Sequence, residues 1–490
     1  MKWPCGPLEV ELRKKQGVLT QEIQESFQYW QQPSALEFVE KTPVNCLIIR
    51  WAAGLHQDEE QQKSLAPLLE KGKQAGLCFV GLVEGTADKQ AAINSAAEAG
   101  LSAIISSDAS KLASRLPIFE PYKRSTLSNA TKNPLLVCED ALWPRLRSNL
   151  VADTDSVVAG PTGIPWVDSN GWYVRLARTL NHEKPIWLMF NPPKTTSVLH
   201  EESYLLALAD TEAYGARWMI SLDDQFRSEL ASRSSSALKK WKGIAAALFF
   251  FQKRQEWNSY RPKSVLAVVS DFSGPNEFLS GEVLNLLGRR QVAFSIVEKS
   301  HCTEASLGDA RAILWVDQEP VGKEQAAGLL SFAEKGGLLI VPKTWGKTPG
   351  TAKGTELDDR FDIYGIGKGR LAVAKTETED PYQAAEEAHL LLSRRHDLFR
   401  LWNAGSCNGY FTVSPDKKKS LLQLINYAGR NAQDALSVWV KGTYQRTRVW
   451  RPCSENAASV ESVPMQSGQE YHLPPIGYYA AMEMENMFKE

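Results

Sequence analysis

Two apolar runs, Val44-Asn45-Cys46-Leu47-Ile48-Ile49-Arg50 and Leu77-Cys78-Phe79-Val80-Gly81-Leu82-Val83, carry the main information about fold. Each is one strand long and lacks polar alternation, so each reads as a strand buried on both faces of a parallel sheet. Between them, residues 62–74 repeat apolar side chains at helical spacing, which makes a strand–helix–strand unit. Further short runs at 102–106, 134–138, 156–160, 185–190, 216–222 and 244–251 bring the strands to eight. Helical periods lie between them at 88–100, 171–180, 201–214 and 226–237. Eight such units predict a (β/α)8 barrel over residues 1–261, with 116–119 as an excursion after the third strand and an amphipathic helix near 20–30.

The pattern changes after the barrel. Strands at 265–270, 292–297, 312–316 and 338–342, with helices at 278–287 and 323–335, predict a small open α/β layer over 262–400. No GxGxxG follows its first strand, where the sequence is Ser270-Asp271-Phe272-Ser273-Gly274-Pro275-Asn276-Glu277, so no nucleotide cofactor is expected. From residue 401 onward, short alternating strands between polar turns predict an antiparallel β-sandwich, for an α/β chain of three parts.

Composition narrows the function. The 490 residues are 43% hydrophobic and 23% charged with a net charge of -1, which is globular and argues against nucleic acid as a partner. The longest strongly apolar run, 244–251, is far short of a membrane span, and residues 1–15 lack the apolar core of a signal peptide. A soluble chain is expected, either cytoplasmic or secreted after loss of a leader. The seven cysteines are widely spaced with no CxxC pair, and the seven histidines form no HExxH, so no metal is expected. The 15 tryptophans fit both a large core and sugar stacking.

In such barrels the binding site forms where the carboxyl ends of the strands open into loops. Those ends carry Arg50 and Trp51, Glu84, Asp108, Glu139 and Asp140 with Trp143, Asn191, and Asp223 and Asp224. The fifth strand leads into Gly160-Pro161-Thr162-Gly163-Ile164-Pro165-Trp166-Val167-Asp168-Ser169-Asn170-Gly171-Trp172. Carboxylates with tryptophans and amide donors suit glycosidic cleavage: one acid protonates the leaving oxygen, and a second carboxylate attacks C1 or activates water. Glu139 is expected as general acid/base, Asp223 as the second carboxylate and Asp168 as their substitute. Arg50, Trp51, Glu84, Asp108, Trp143, Trp166, Asn170, Trp172, Asn191, Asp224 and Glu277 are expected to bind substrate. The competing structural roles are helix capping for the aspartates, core packing for the tryptophans and ion pairing for Arg50.

The order of barrel, α/β layer with Ala312-Ile313-Leu314-Trp315-Val316 and Glu334-Lys335-Gly336-Gly337-Leu338-Leu339-Ile340-Val341-Pro342, and closing sandwich resembles the glycoside hydrolases related to family 42 β-galactosidases. The resemblance implies a flavodoxin-like or glutaminase-like middle domain that mediates self-association, and acid/base and nucleophile glutamates after strands 4 and 7. Glu139 matches the first place, preceded here by Cys138 rather than Asn; Asp223 occupies the second in place of Glu. Non-catalytic sugar binding, or another barrel chemistry such as a polysaccharide lyase or deacetylase, stands beside the hydrolase reading.

Overall fold

The computed structural model describes residues 1–85, 88–107, 112–147, 166–182, 184–193, 199–346, 348–349, 360–404, 406–428, 435–452, 454 and 456–486. Its first part contains two parallel four-stranded sheets. One runs β1 (Cys46–Ala52), β2 (Cys78–Val83), β3 (Ala103–Ser106) and β4 (Ile118–Phe119). The other joins β5 (Pro121–Tyr122), β6 (Leu136–Cys138), β9 (Ile186–Leu188) and β10 (Arg217–Trp218). An antiparallel hairpin of β7 (Arg145–Arg147) and β8 (Trp166–Asp168) projects between β6 and β9.

Only Glu120 separates β4 from β5, so one extended segment joins the two sheets there. At their other edges residues 1–3 lie between them. Trp3 N–H donates to Ile48 O and Ile48 N–H to Met1 O, while Lys2 N–H donates to Ile220 O, each at 2.8 Å. The sheets thus wrap a common apolar interior that includes Ile48, Val80, Ile105, Val137 and Met219. Helices α1 (Pro7–Lys15), α2 (Gln21–Trp30), α3 (Asp58–Gln74), α4 (Lys89–Glu98), α5 (Gly171–Leu180), α6 (Glu201–Glu212), α7 (Asp224–Ala231) and α8 (Ser235–Gln252) complete a barrel-like arrangement. Sequence places their starts: Thr20 and Asp88 accept from Ile23 N–H and Ala91 N–H as side-chain caps.

Two expectations are corrected here. Residues 244–251 form the end of helix α8, not an eighth strand. Ala237, Trp241, Ile244, Ala247 and Phe251 are buried at three- and four-residue spacing, and the 18-residue length decides for helix. Of residues 116–119, expected as an excursion, Ile118–Phe119 pairs as a strand with β3, and Pro121–Tyr122 just beyond it pairs with β6. The expected strand at 156–160 lies outside the described residues.

The middle layer follows the short strand β11 (Arg261–Pro262), which pairs with the sandwich. Its strands are β12 (Leu266–Ser270), β13 (Phe294–Glu298), β14 (Ala312–Trp315), β15 (Leu338–Val341), β16 (Phe361–Ile366) and β17 (Gly369–Ala374). They are ordered 13-12-14-15-17-16, all parallel except β16, an edge strand that the sequence analysis did not assign. Helices α9 (Glu277–Arg289), α10 (Glu304–Leu307), α11 (Lys323–Glu334) and α12 (Pro381–Leu392) flank them.

The sandwich holds β18 (Phe399–Trp402), β19 (Cys407–Val413), β20 (Lys419–Asn426), β21 (Leu436–Lys441), β22 (Tyr444–Trp450), β23 (Ala458–Ser459), β24 (Ser462–Met465), β25 (Gly468–Leu473) and β26 (Tyr479–Asn486). β18, β21, β25 and β24 form one sheet, and the other strands join β11 in the second. Among the described residues no helix is long and apolar enough to cross a membrane.

Candidate active site

Strand alternation sorts the candidates. Side chains on a strand point to opposite faces in turn, so the parity of the buried interior residues can be followed to each strand's carboxyl end. On β1, Cys46 and Ile48 face the interior, and Arg50 continues the series. On β2, Val80 and Leu82 lead to Glu84, and Leu135 and Val137 lead to Glu139. Trp187 and Met189 lead to Asn191, and Met219 leads to Ser221. The ladder supports this extension, since Glu139 N–H still donates to Tyr122 O at 3.0 Å. Arg50, Glu84, Glu139 and Asn191 therefore share one layer at the mouth.

Most of that layer is tied together. Arg50 Nε donates to Glu9 Oε1 at 2.8 Å, and its Nη1 pairs with Glu84. Lys2 Nζ donates to Asn191 Oδ1 at 2.7 Å, and Ser221 Oγ donates to the same oxygen at 3.1 Å. Burial, helped by the positive charge of Arg50, pushes the Lys2 ammonium down to about 8, against the opposing pull of Glu9. Glu139 differs: its carboxylate has no hydrogen bond or ion pair among the described residues.

Lys2, Glu9 and Ser221 escaped the sequence reading. Lys2 sits between Met1 and Trp3, in a segment that joins β1 through a single bridge to Ile48 and is too short to register as a period. Glu9 arrives from a helix and no strand-end rule would select it.

Other candidates are placed elsewhere. Trp51 is one position out of register with Arg50, so it faces the helices; it is buried, and its Nε1 donates to Ala92 O at 3.1 Å and Ser95 Oγ at 3.0 Å. That corrects its expected role as a stacking platform. Trp143 packs edgewise on Tyr204 and Trp218, with ring centroids 5.5 and 5.6 Å away. Asp224 pairs with Arg13 at 3.0 Å and with Arg227. Asp108 lies outside the described residues.

Asp223 caps α7: its Oδ1 accepts from Phe226 N–H at 2.8 Å, and its Oδ2 accepts from the Tyr204 hydroxyl. Both oxygens thus face the helix layer. Asp223→Ala is expected to lower unfolding free energy by about 2 kcal/mol, because a cap and a partly buried hydrogen bond are lost together. Urea unfolding checks the loss, and activity per folded molecule is expected to persist.

The segment Asp168-Ser169-Asn170 forms a junction between parts of the molecule. Asp168 Oδ2 accepts from Arg145 Nε at 3.0 Å across the hairpin. Ser169 Oγ donates to Asn285 Oδ1 of α9 at 3.2 Å. Asn170 donates through its backbone N–H and its Nδ2 to Asp210 Oδ2 at 2.9 and 2.8 Å, and Asp210 also accepts from the Tyr427 hydroxyl of the sandwich. Burial pushes the Asp210 carboxyl up to about 6, opposed by those donors. Nearby, Arg124 Nε pairs with Glu277 at 2.8 Å, and its guanidinium lies 5.4 Å from the Trp172 ring. Arg289 lies 5.0 Å from the Trp166 ring. These residues join the barrel to the α/β layer and the sandwich.

The described chain is similar to α-L-fucosidase isoenzyme 2 from Paenibacillus thiaminolyticus, with a TM-score of 0.55 at 10% identity over 95% of this chain and 97% of that one. The likeness is one of fold. A GH42 β-galactosidase from G. stearothermophilus, Gan42B, aligns with a TM-score of 0.47 at 10% identity, covering 89% of this chain and 68% of that one. An exo-β-1,4-mannosidase from Opitutaceae bacterium strain TAV5 aligns with 0.46 at 12% identity, over 80% and 92%. No protein-family model matches the chain, and no curated protein is similar to it in sequence. The likeness to the fucosidase structure thus supports a barrel-like α/β fold with additional domains, and family 42 is not singled out.

Proposed function

We propose that the chain is a glycoside hydrolase whose site is the mouth layer of a (β/α)8 barrel, with residues 1–3 as its first strand. The supporting observation is Glu139, an unpartnered carboxylate on the interior parity of a strand end, in a layer that also holds the Arg50–Glu84 ion pair. Glu139 acts as general acid, passing its proton to the glycosidic oxygen as the C1–O bond breaks, and then as base towards water. Glu84 is the second carboxylate, paired with Arg50, and meets the positive charge that develops at C1. Lys2, Asn191 and Ser221 supply polar contacts to sugar hydroxyls. In this reading Asp223 and Asp168 hold the scaffold.

The three-part order also fits the family 42 likeness, with self-association through the α/β layer. Product release from a panel of glycosides, comparing intact protein with Glu139→Gln and Glu84→Gln, tests the site. Turnover unchanged in both variants removes it. Sedimentation tests self-association separately: a single species at the mass of one chain discards it.

A further inference from the structure

Away from the barrel mouth, two cavities of about 480 and 630 Å³ lie on either side of the segment 394–398, where the α/β layer meets the sandwich. Both are cationic in a chain of net charge -1. Four arginines and one aspartate line the first; two lysines and an arginine, with one aspartate, line the second. The lone aspartate of the first cavity, Asp397, is buried and already committed: its two oxygens lie 2.9 Å from His389 Nε2 and from Arg400 Nε. Arg290 is 3.0 Å from Glu386. The guanidinium of Arg394, by contrast, has no hydrogen bond or ion pair among the described residues.

The same cavity has an aromatic wall. Strand β18 is an edge strand whose burial alternates, so Arg400 and Trp402 share its outer face, and Trp402 is 44% exposed. A large exposed indole beside guanidinium groups suits a ligand with an apolar ring face and an anionic substituent. The positive field extends across the segment. His396, which lines the second cavity, is held below its ordinary pKa by burial and by Arg395, Lys441 and Arg311, with Asp397 opposing.

We propose that this cleft is a second binding site, distinct from the barrel mouth, for an acidic saccharide residue, with its carboxylate or sulfate on Arg394 and Arg400 and its ring face on Trp402. The choice of a sugar as the carrier of the anion rests on the glycosidase reading; the cationic and aromatic walls do not. A secondary site of this kind would hold an acidic polymer while the barrel works on it, raising the local substrate concentration.

The test is calorimetric titration of the Glu139→Gln protein with four probes: a hexuronic acid oligomer, a sulfated oligosaccharide, a neutral oligosaccharide and inorganic sulfate. Binding of either acidic oligosaccharide is expected at least tenfold tighter than binding of the neutral one or of inorganic sulfate. The acidic probe that binds identifies the anion. Arg394→Ala and Trp402→Ala are each expected to weaken it tenfold or more, with melting temperature retained and, in the Glu139 background, hydrolysis of a small glycoside unchanged. Equal binding of the neutral probe, no binding of either acidic one, or affinity unmoved by both substitutions overturns the proposal. Inorganic sulfate binding as tightly as the oligosaccharide also overturns it. Failure of the barrel reading looks different: no glycoside is hydrolysed, yet acidic saccharides still bind and the two variants still lose them.

Discussion

Glu139→Gln is expected to lower kcat by about 10²- to 10⁴-fold on a glycoside with a poor leaving group, the range over which a positioned general acid acts. Glutamine keeps the shape of the side chain and removes the transferable proton. Because the carboxylate has no hydrogen bond or ion pair among the described residues, the substitution breaks no internal bond and the melting temperature is expected to hold. Leaving-group dependence separates acid catalysis from mere binding. A nitrophenolate departs without protonation, so the first step with an aryl glycoside of that kind is expected to fall far less than with an alkyl glycoside. Equal losses on both substrates would give Glu139 a binding role, and no loss would remove it from the site. Glu84→Gln is expected to fall on both substrates alike, since a carboxylate facing C1 is needed whatever leaves.

Strand parity explains which parts of this site were legible in the sequence. Arg50, Glu84, Glu139 and Asn191 close apolar runs, and the runs themselves announce where a strand ends and a loop begins. Trp51 closes a run too, but it is one position off parity, and a side chain one residue out of step faces the helices. The fold was legible for the same reason in β1, β2, β3 and β6, and misread where periodicity is silent. The apolar stretch 244–251 has the length of a strand, yet it is the end of an 18-residue helix whose earlier turns are polar. Residues 1–3 are too few to show a period, and only the bonds to Ile48 and Ile220 place them between the two sheets. Asp168, Asn170 and Trp172 stood in a loop rich in Gly and Pro that resembled a ligand loop. The partners that give Asp168 and Asn170 other work, Arg145 and Asp210, are distant in sequence, and local reading has no access to them.

That junction carries the second large effect, a pH dependence of stability centred on Asp210. Its carboxyl is fully buried and raised to about 6 from an ordinary 3.8, chiefly by loss of solvation, while Tyr427 and Asn170 pull the other way. A raised carboxyl binds its proton more tightly in the folded chain than in the unfolded one. Its stabilising contribution is therefore complete below about 3.8 and is lost as pH rises to about 6, with no further change above. The loss is on the order of 3 kcal/mol, at 1.36 kcal/mol for each pH unit of displacement. Asp210→Asn cannot titrate, so the difference in unfolding free energy between intact protein and variant isolates this group from the other carboxylates. The difference is expected to move by about 2 kcal/mol against the intact protein between pH 4 and pH 7. Tyr427→Phe removes one donor to the ionised form, which raises the carboxyl further and carries the window to higher pH. A difference that stays flat from pH 4 to 7 would mean that the three donors offset desolvation in full, leaving the junction between barrel and sandwich indifferent to pH.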